Sequence, residues 1–332
     1  MKKLINSPEL VVEEMLEGIV MAHPDYVRKL GNANVLVRTN SPIQGKVALV
    51  SGGGSGHEPA HAGYVGKGML DGAVAGSVFT SPTPDQVYEA VKAVDGGSGV
   101  LLIVKNYTGD IMNFDMAKEM AEMDGIQVES VVVNDDVAVE NSLYTAGRRG
   151  IAGTIFVHKI AGAKAEIGAS LEEVKIVAEK VIENVRSMGM ALSPCIVPAA
   201  GKPNFTLDED EVEIGMGIHG EPGTHRETLR PVDEIVNHMV LRILADMPLD
   251  IGAEVAVMVN GLASTPLMEL YIINRKVHNM LEEKGVKVYK TFVGEFMTSL
   301  EMAGYSITLL KLDDELKELL DAPADTPALI VL

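Results

Sequence analysis

Two stretches of this chain set a histidine among glycines. One is Gly215-Met216-Gly217-Ile218-His219-Gly220-Glu221-Pro222-Gly223, the other Ser51-Gly52-Gly53-Gly54-Ser55-Gly56-His57-Glu58-Pro59, and both follow the histidine with Glu-Pro. A glycine in regular structure costs about 0.5–1 kcal/mol relative to alanine, so such a segment is explained by close approach of backbone to a ligand. Glycines leave little bulk to shield His219, whose ring is expected to be accessible. The two segments are expected to face one small polar ligand. An imidazole there can serve as a base, as a hydrogen-bond donor to a ligand, or as a nucleophile. A neutral imidazole nitrogen can also add to a ketone carbon, giving a hemiaminal. That bond would separate a ketone from the matching alcohol without a large pocket. Residue types alone leave these roles open.

Other chemistries are narrowed by spacing. The first glycine segment follows an expected strand, as phosphate cradles do, but G-x-G-x-x-G fails because the later positions hold His57 or Pro59. No G-x-x-x-x-G-K-[ST] occurs, so no nucleotide site is expected within the chain. His57-Glu58-Pro59-Ala60-His61 matches H-E-x-x-H, a zinc pattern that needs both histidines on one helical face. Pro59 opposes this by disfavouring helix at Glu58, so His57 is expected in a loop and His61 on a helix, with no metal. Asp110, just past the apolar run 100–105, reads equally as a helix N-cap for 111–123 or as a ligand group in a crevice beyond the strand ends. Lys105 could reach the same crevice, but reads first as a solvated lysine at a strand end. Ser81-Pro82-Thr83-Pro84-Asp85 reads as a helix start. Asn134-Asp135-Asp136 and Asp208–Glu211 read as solvated acidic turns, and Cys195 as a small buried hydrophobe. His158, His225, His238 and His278 have no comparable surroundings.

These residues need a scaffold, and composition bounds it. The 332 residues suggest two domains, and an apolar share of 47% can fill their cores. Net charge is −19, from 28 basic and 47 acidic residues, which repels nucleic acid and anionic membrane. With no Trp and 4% aromatics, stacking platforms for bases are not expected. A single cysteine excludes an internal disulfide and makes a cytoplasmic location the default. The N-terminus lacks the apolar run of a signal peptide, and no stretch reaches the ~18 apolar residues of a membrane helix.

Periodicity predicts a helix over 9–22, strands at 35–38, 46–50, 73–76, 100–105 and 128–133, and helices at 84–94 and 114–123. Helices at 151–168 and 171–188 follow, then an irregular acidic stretch. A second set has strands at 253–259, 286–293 and 306–312, with helices at 230–246, 266–283 and 313–320. The expected fold class is α/β, as two α/β domains, each a mostly parallel or mixed sheet flanked by helices. The boundary is placed within 190–205. It divides an N-terminal domain, 1–195, with the glycine-rich substrate loop, from a C-terminal domain, 196–332, with the His219 loop.

Five separated segments occur together and in order: Gly52–Pro59, Phe79–Pro84, Lys105–Asp110, Thr145–Gly150 and Gly217–Pro222. With the late Thr298–Leu300 and Ser306–Lys311, they make the chain resemble, over essentially its whole length, the dihydroxyacetone kinase K subunit of the phosphotransferase-dependent type. The resemblance implies that His219 binds the substrate carbonyl covalently as a hemiaminal. It implies that His57 moves the proton of the substrate hydroxyl, and that Asp110 is a second acid–base group. Gly54, Ser55, Gly56, His57, Lys105 and Asp110 are implied as substrate contacts. Relatives that use ATP fuse a helical nucleotide domain to this module, and the end of the chain at Leu332 is read as leaving no room for one. The phosphotransferase-dependent type instead implies an L subunit carrying ADP with magnesium, and a phosphocarrier M subunit that recharges it. A homodimer is implied as well. Dihydroxyacetone-sensing transcriptional coactivators, which keep the binding loops without phosphotransfer, are the alternative.

Overall fold

The computed structural model describes residues 2–142 and 145–332. Helix α1 (Val11–Ala22) precedes a six-stranded sheet made of β1 (Val27–Lys29), β2 (Val35–Arg38), β3 (Ala48–Ser55), β4 (Gly72–Val78), β5 (Val100–Lys105) and β6 (Val128–Val133). Their spatial order is β1-β2-β4-β3-β5-β6; β4, β3, β5 and β6 run parallel, and β1 and β2 form an antiparallel edge. Strand β5 is apolar up to its last residue because both its faces are buried. Its Val100, Leu102 and Val104 meet α2 (Pro84–Val94) and α3 (Thr108–Met123) in one core, while Leu101 and Ile103 enter a second core on the opposite face.

That second core is the centre of the molecule. It is filled by α4 (Thr154–Glu166) and α5 (Leu171–Asn184). Helix α5 starts on a capping box in which Ser170 and Glu173 satisfy each other's backbone N–H. Helix α4 is buried almost throughout, and its one deep cation, Lys159, donates 2.7 Å to the Leu319 carbonyl. Gly162 is the closest approach: a Cβ there would lie 2.5 Å from the Met69 Cα.

The far side of this layer is a second sheet, formed by β7 (Val185–Ala191), β8 (Glu211–Ile214), β9 (His225–Thr228), β10 (Glu254–Gly261), β11 (Lys287–Gly294) and β12 (Gly304–Leu312) in the order β11-β10-β12-β7-β8-β9. Only β10 and β11 are parallel. Ala256, Met258, Leu310 and Leu312 face the shared centre, whereas Val255, Val257 and Val259 face α6 (Val232–Asp246) and α7 (Leu267–Glu283). Helix α8 (Asp314–Asp321) and a short ribbon, β13 (Ala324–Asp325) with β14 (Ile330–Val331), return to the first sheet, where the Asp325 N–H donates to the Lys67 carbonyl at 2.9 Å. The α/β class with two helix-flanked mixed sheets is as expected. Among the described residues no helix is long and apolar enough to cross a membrane.

Several elements differ from the periodicity reading. The helix expected over 171–188 stops at Asn184, and Val185–Ala191 is a strand between β12 and β8. No Gly or Pro separates the two, so the helical pattern masks the change of period. The second sheet therefore already holds residues ahead of 195. Strands β8 and β9 were not expected; both are only four residues long, β9 is polar, and their register is supported by partners such as Arg226 on Glu213. Finally, Gly52-Gly53-Gly54-Ser55 is not a loop after a strand at 46–50 but the second half of β3. A Cβ at Gly52 would lie 2.4 Å from the Val74 carbonyl oxygen. Glycine is required here by a neighbouring strand rather than by a turn.

Gly162→Ala tests the central contact. Alanine raises helix propensity by up to about 1 kcal/mol, yet its methyl must displace backbone, an overpacking that costs roughly 1–3 kcal/mol. A lower melting temperature is expected, and an unchanged or higher one would contradict the close approach.

Candidate active site

A cleft of about 660 Å³ opens beyond the ends of β3, β4 and β5, bordered by Gly54, Phe79, Tyr107, Asp110 and His219. Its floor is the glycine half of β3. A Cβ at Gly54 would lie 2.5 Å from the Thr80 amide nitrogen, and one at Gly53 would lie 3.3 Å from Lys105 Nζ and 3.6 Å from Asp110 Oδ2. Gly56, at φ +104°, turns the chain into His57. Two non-glycine residues are held at positive φ beside it, Phe79 at 56° and Leu300 at 52°, a conformation that costs about 1–3 kcal/mol each. They are fixed by backbone bonds to the same strand end: Phe79 N–H to the Ser55 carbonyl at 3.0 Å and Leu300 N–H to the Gly56 carbonyl at 2.7 Å.

His57 and His219 meet here, their ring centroids 4.8 Å apart. His57 is wholly buried and stacked on Phe79 at 5.1 Å. Its Nδ1 lies 2.8 Å from the Thr298 carbonyl, an acceptor, so Nδ1 carries the hydrogen and Nε2 the lone pair. No described residue partners that Nε2. Burial, reinforced by Lys105 and His219, holds the ring well below the usual histidine range, so it is neutral.

His219 lies between β8 and β9, in the second sheet, and comes to the first sheet's cleft. Contrary to the accessible ring expected from its glycines, its side chain is only 14% exposed. Tyr107, Phe79 and His57 enclose it edge-on, with Tyr107 at 4.6 Å. Its Nδ1 lies 2.8 Å from the fully buried Glu221 carboxylate, which also accepts the His219 backbone N–H at 2.8 Å. This leaves the His219 lone pair on Nε2. Burial alone would raise the Glu221 carboxyl, but His219 and Arg149 outweigh it and hold the group down at about 2. Gly217 makes room, since a Cβ there would sit 2.1 Å from Glu221 Oε2.

Glu221 had no assigned role in the sequence reading, and its signal was the Glu-Pro that follows both histidines. Its counterpart Glu58 accepts the Gly56 N–H at 3.0 Å. Behind Glu221 stands Arg149, fully buried, with Asp136 at 2.7 Å and the Gly215 carbonyl at 2.7 Å. Asp135 and Asp136 are thus not solvated: both are fully buried, and Asp135 accepts the N–H groups of Ile151 and Gly153 at 2.8 Å, at the entrance to α4. Their partners are remote in sequence, which is why an acidic turn hid them.

Lys105 is likewise not a solvated lysine. It is fully buried, Nζ has no hydrogen-bond partner among the described residues, and burial lowers its pKa against the opposing pull of Asp110 and Glu221. Asp110 is not an N-cap: α3 starts at Thr108, six residues before the expected Phe114, and its N-cap is Tyr107. Asp110 instead accepts a hydrogen bond from the Ser81 hydroxyl, and burial raises its carboxyl pKa despite Lys105. Ser81 thus ties the segment before α2 to the site. Among the expected contacts, Gly54 borders the cleft, while the Ser55 hydroxyl is committed to the Gly76 carbonyl at 2.7 Å and the Gly56 N–H to Glu58.

His61 is on no α-helix; it precedes a single 3₁₀ turn, Ala62–Tyr64. Its Nδ1 pairs at 2.9 Å with Nε2 of His158, a residue of α4 that sequence had not singled out. Burial, with Lys105 adding to it, pushes His61 well down and His158 down to about 3. Cys195 is buried as expected, its thiol pushed up to about 11 by burial. Asp208, Glu209 and Asp210 are exposed.

The family model described as the Dak1 domain matches residues 17–328. The PTS-dependent dihydroxyacetone kinase 1, dihydroxyacetone-binding subunit DhaK, of Listeria innocua is 57% identical over 329 residues, 99% of this chain and 100% of its own. The PEP-dependent dihydroxyacetone kinase, dihydroxyacetone-binding subunit DhaK, of Escherichia coli K12 is 46% identical over 353 residues, covering 99% of each. Among solved structures, the native dihydroxyacetone kinase of C. freundii superposes with a TM-score of 0.91 at 37% identity, over 99% of this chain and 60% of that one. A dihydroxyacetone kinase operon co-activator superposes at 0.89 and 38%, over 95% and 97%.

The buried histidines give a direct test. With pKa values well below the ordinary 6.5 or so, His57, His61 and His158 are expected to stay neutral across the pH range in which a free histidine titrates. Imidazole ¹⁵N spectra should then show no titration for them, and His57 as the Nδ1–H tautomer. A His57 midpoint near 6.5 would contradict the dry environment described.

Proposed function

The chain belongs to the Dak1 domain family, and from that premise we propose that it is the dihydroxyacetone-binding subunit of a phosphoenolpyruvate-dependent dihydroxyacetone kinase. It holds the ketone as a hemiaminal on His219 and presents a hydroxyl to an L subunit that carries ADP, recharged by a phosphocarrier M subunit. The observation that carries this reading is the pairing of His219 Nδ1 with buried Glu221 at 2.8 Å, which leaves Nε2 for other bonding on a histidine that borders the cleft, with the His57 ring 4.8 Å away.

In the proposed reaction, Nε2 bonds to the carbonyl carbon and the C=O π pair moves onto oxygen. The ring then carries positive charge, which the Glu221 carboxylate balances through Nδ1–H. The new oxyanion takes its proton from Lys105 or Asp110, which lie beside Gly53; that acid is left deprotonated while the ring keeps Nδ1–H on Glu221. A buried carboxylate that orients an imidazole is the arrangement used to activate nucleophiles through histidine. The neutral His57, with Nε2 unpartnered, accepts the proton of the terminal hydroxyl as that oxygen attacks phosphorus. The donor comes from outside, in keeping with the absence of any phosphate-cradle motif in the sequence.

The similarity to the operon co-activator supports a second reading, a sensor that binds the ketone and transfers nothing. The 57% identity to a kinase subunit, against 38% to the co-activator, favours the enzyme. Turnover separates them. With L and M subunits and phosphoenolpyruvate-driven carriers, the chain is expected to phosphorylate dihydroxyacetone. No product with a competent L subunit would leave the sensor. His219→Ala is expected to abolish the mass adduct with dihydroxyacetone while the fold survives. His57→Ala should keep the adduct and slow transfer by about 10²–10⁴; an undiminished rate would remove His57 as the base.

A further inference from the structure

Helix α3 buries Asp110, Phe114, Ala117 and Ala121 and turns the opposite side to solvent. On that side stand Met112, Met116, Met120 and Met123, spaced four, four and three residues apart, which makes one continuous stripe. Met112, Met116 and Met123 are 59%, 52% and 80% exposed. Scattered exposed apolar residues need no explanation, but an aligned row of them on one helix marks a contact surface. Methionine is the side chain that adapts best to a partner's relief.

The stripe has a direction. Its first member stands one helical turn from Thr108 and Gly109, which border the cleft, and Asn113 between Met112 and Met116 borders it too. The row therefore begins at the mouth through which a phosphoryl donor must enter. Exposed Asp115, Glu119 and Glu122 flank it, on a chain of net charge −19. A nucleotide approaching that field unaided is repelled, so its carrier must bring compensating positive charge. A second copy of this equally acidic chain seated there would both repel and close the mouth.

We propose that the methionine stripe of α3 is the landing surface for the donor-carrying subunit, and that it takes an apolar protein face rimmed by basic side chains. This rests on the reading above that the donor arrives on a separate protein. The stripe fixes where that protein's edge sits, and so sets the reach of the phosphoryl group to the hydroxyl in the cleft.

The test is the double variant Met112→Glu with Met116→Glu in the full chain. The ADP-loaded L subunit concentration for half-maximal turnover is expected to rise about tenfold or more, equivalent to about 1.4 kcal/mol of binding. The dihydroxyacetone adduct by intact mass and the rate at saturating L subunit stay as in the parent, and Met112→Leu with Met116→Leu behaves like the parent. An L subunit dependence unchanged within about twofold overturns the proposal. So does a variant that changes only the sedimentation of the chain by itself, since the stripe would then belong to a second copy. If the parent forms the adduct but never turns over, the kinase reading fails. Calorimetric titration of L subunit into parent and variant still decides the landing surface.

Discussion

A fully buried ion pair, Arg149 with Asp136, holds the site together. The chain faces a construction problem: its two glycine-flanked histidines belong to different sheets, with a layer of helices between those sheets. Asp136 follows the last strand of the first sheet, and Arg149 reaches from it to the Gly215 carbonyl in the loop of the second. A buried pair of this kind is weak evidence for stability, because desolvation consumes much of the Coulombic gain. Here its value is positional. It brings His219 to within 4.8 Å of His57 and adds the positive charge that helps keep Glu221 ionised.

From that placement the electrostatics follow. The site excludes water from a lysine and three histidines at once, which none of them could sustain fully charged. His57, His61 and His158 respond by staying neutral, and a neutral imidazole is the form that can accept a proton. Glu221 is held charged, because its hydrogen bond from His219 and the nearby Arg149 guanidinium outweigh its burial. One carboxylate at His219 Nδ1 and one carbonyl at His57 Nδ1 therefore decide where both lone pairs lie.

Much of this was legible in residue order, unevenly. The apolar run 100–105 announced a doubly buried strand, and the two glycine-rich segments that pair a histidine with Glu-Pro announced that they act together. What stayed hidden depended on partners far away in the chain. Lys105 looked solvated because nothing in its neighbourhood says that Gly53 packs over it. Asp135 and Asp136 looked like a wet turn because the entrance to α4 and Arg149 lie 13 or more residues on. The glycines of β3 looked like a loop because composition reports missing side chains but not whether a turn or a neighbouring strand requires their absence. Val185–Ala191 was lost to a helical rhythm that runs up to its first residue.

The glycine half of β3 also bears on how this family can change. The backbones of Val74 and Thr80 stand where side chains from Gly52 and Gly54 would have to grow, so those two positions are closed to ordinary substitution. The inherited floor is a fixed template. New selectivity can arise from the rim, where Thr108 and Asn113 border the cleft with ordinary side chains. Divergence within such a lineage should therefore be written on the rim, while the strand beneath is carried forward unaltered.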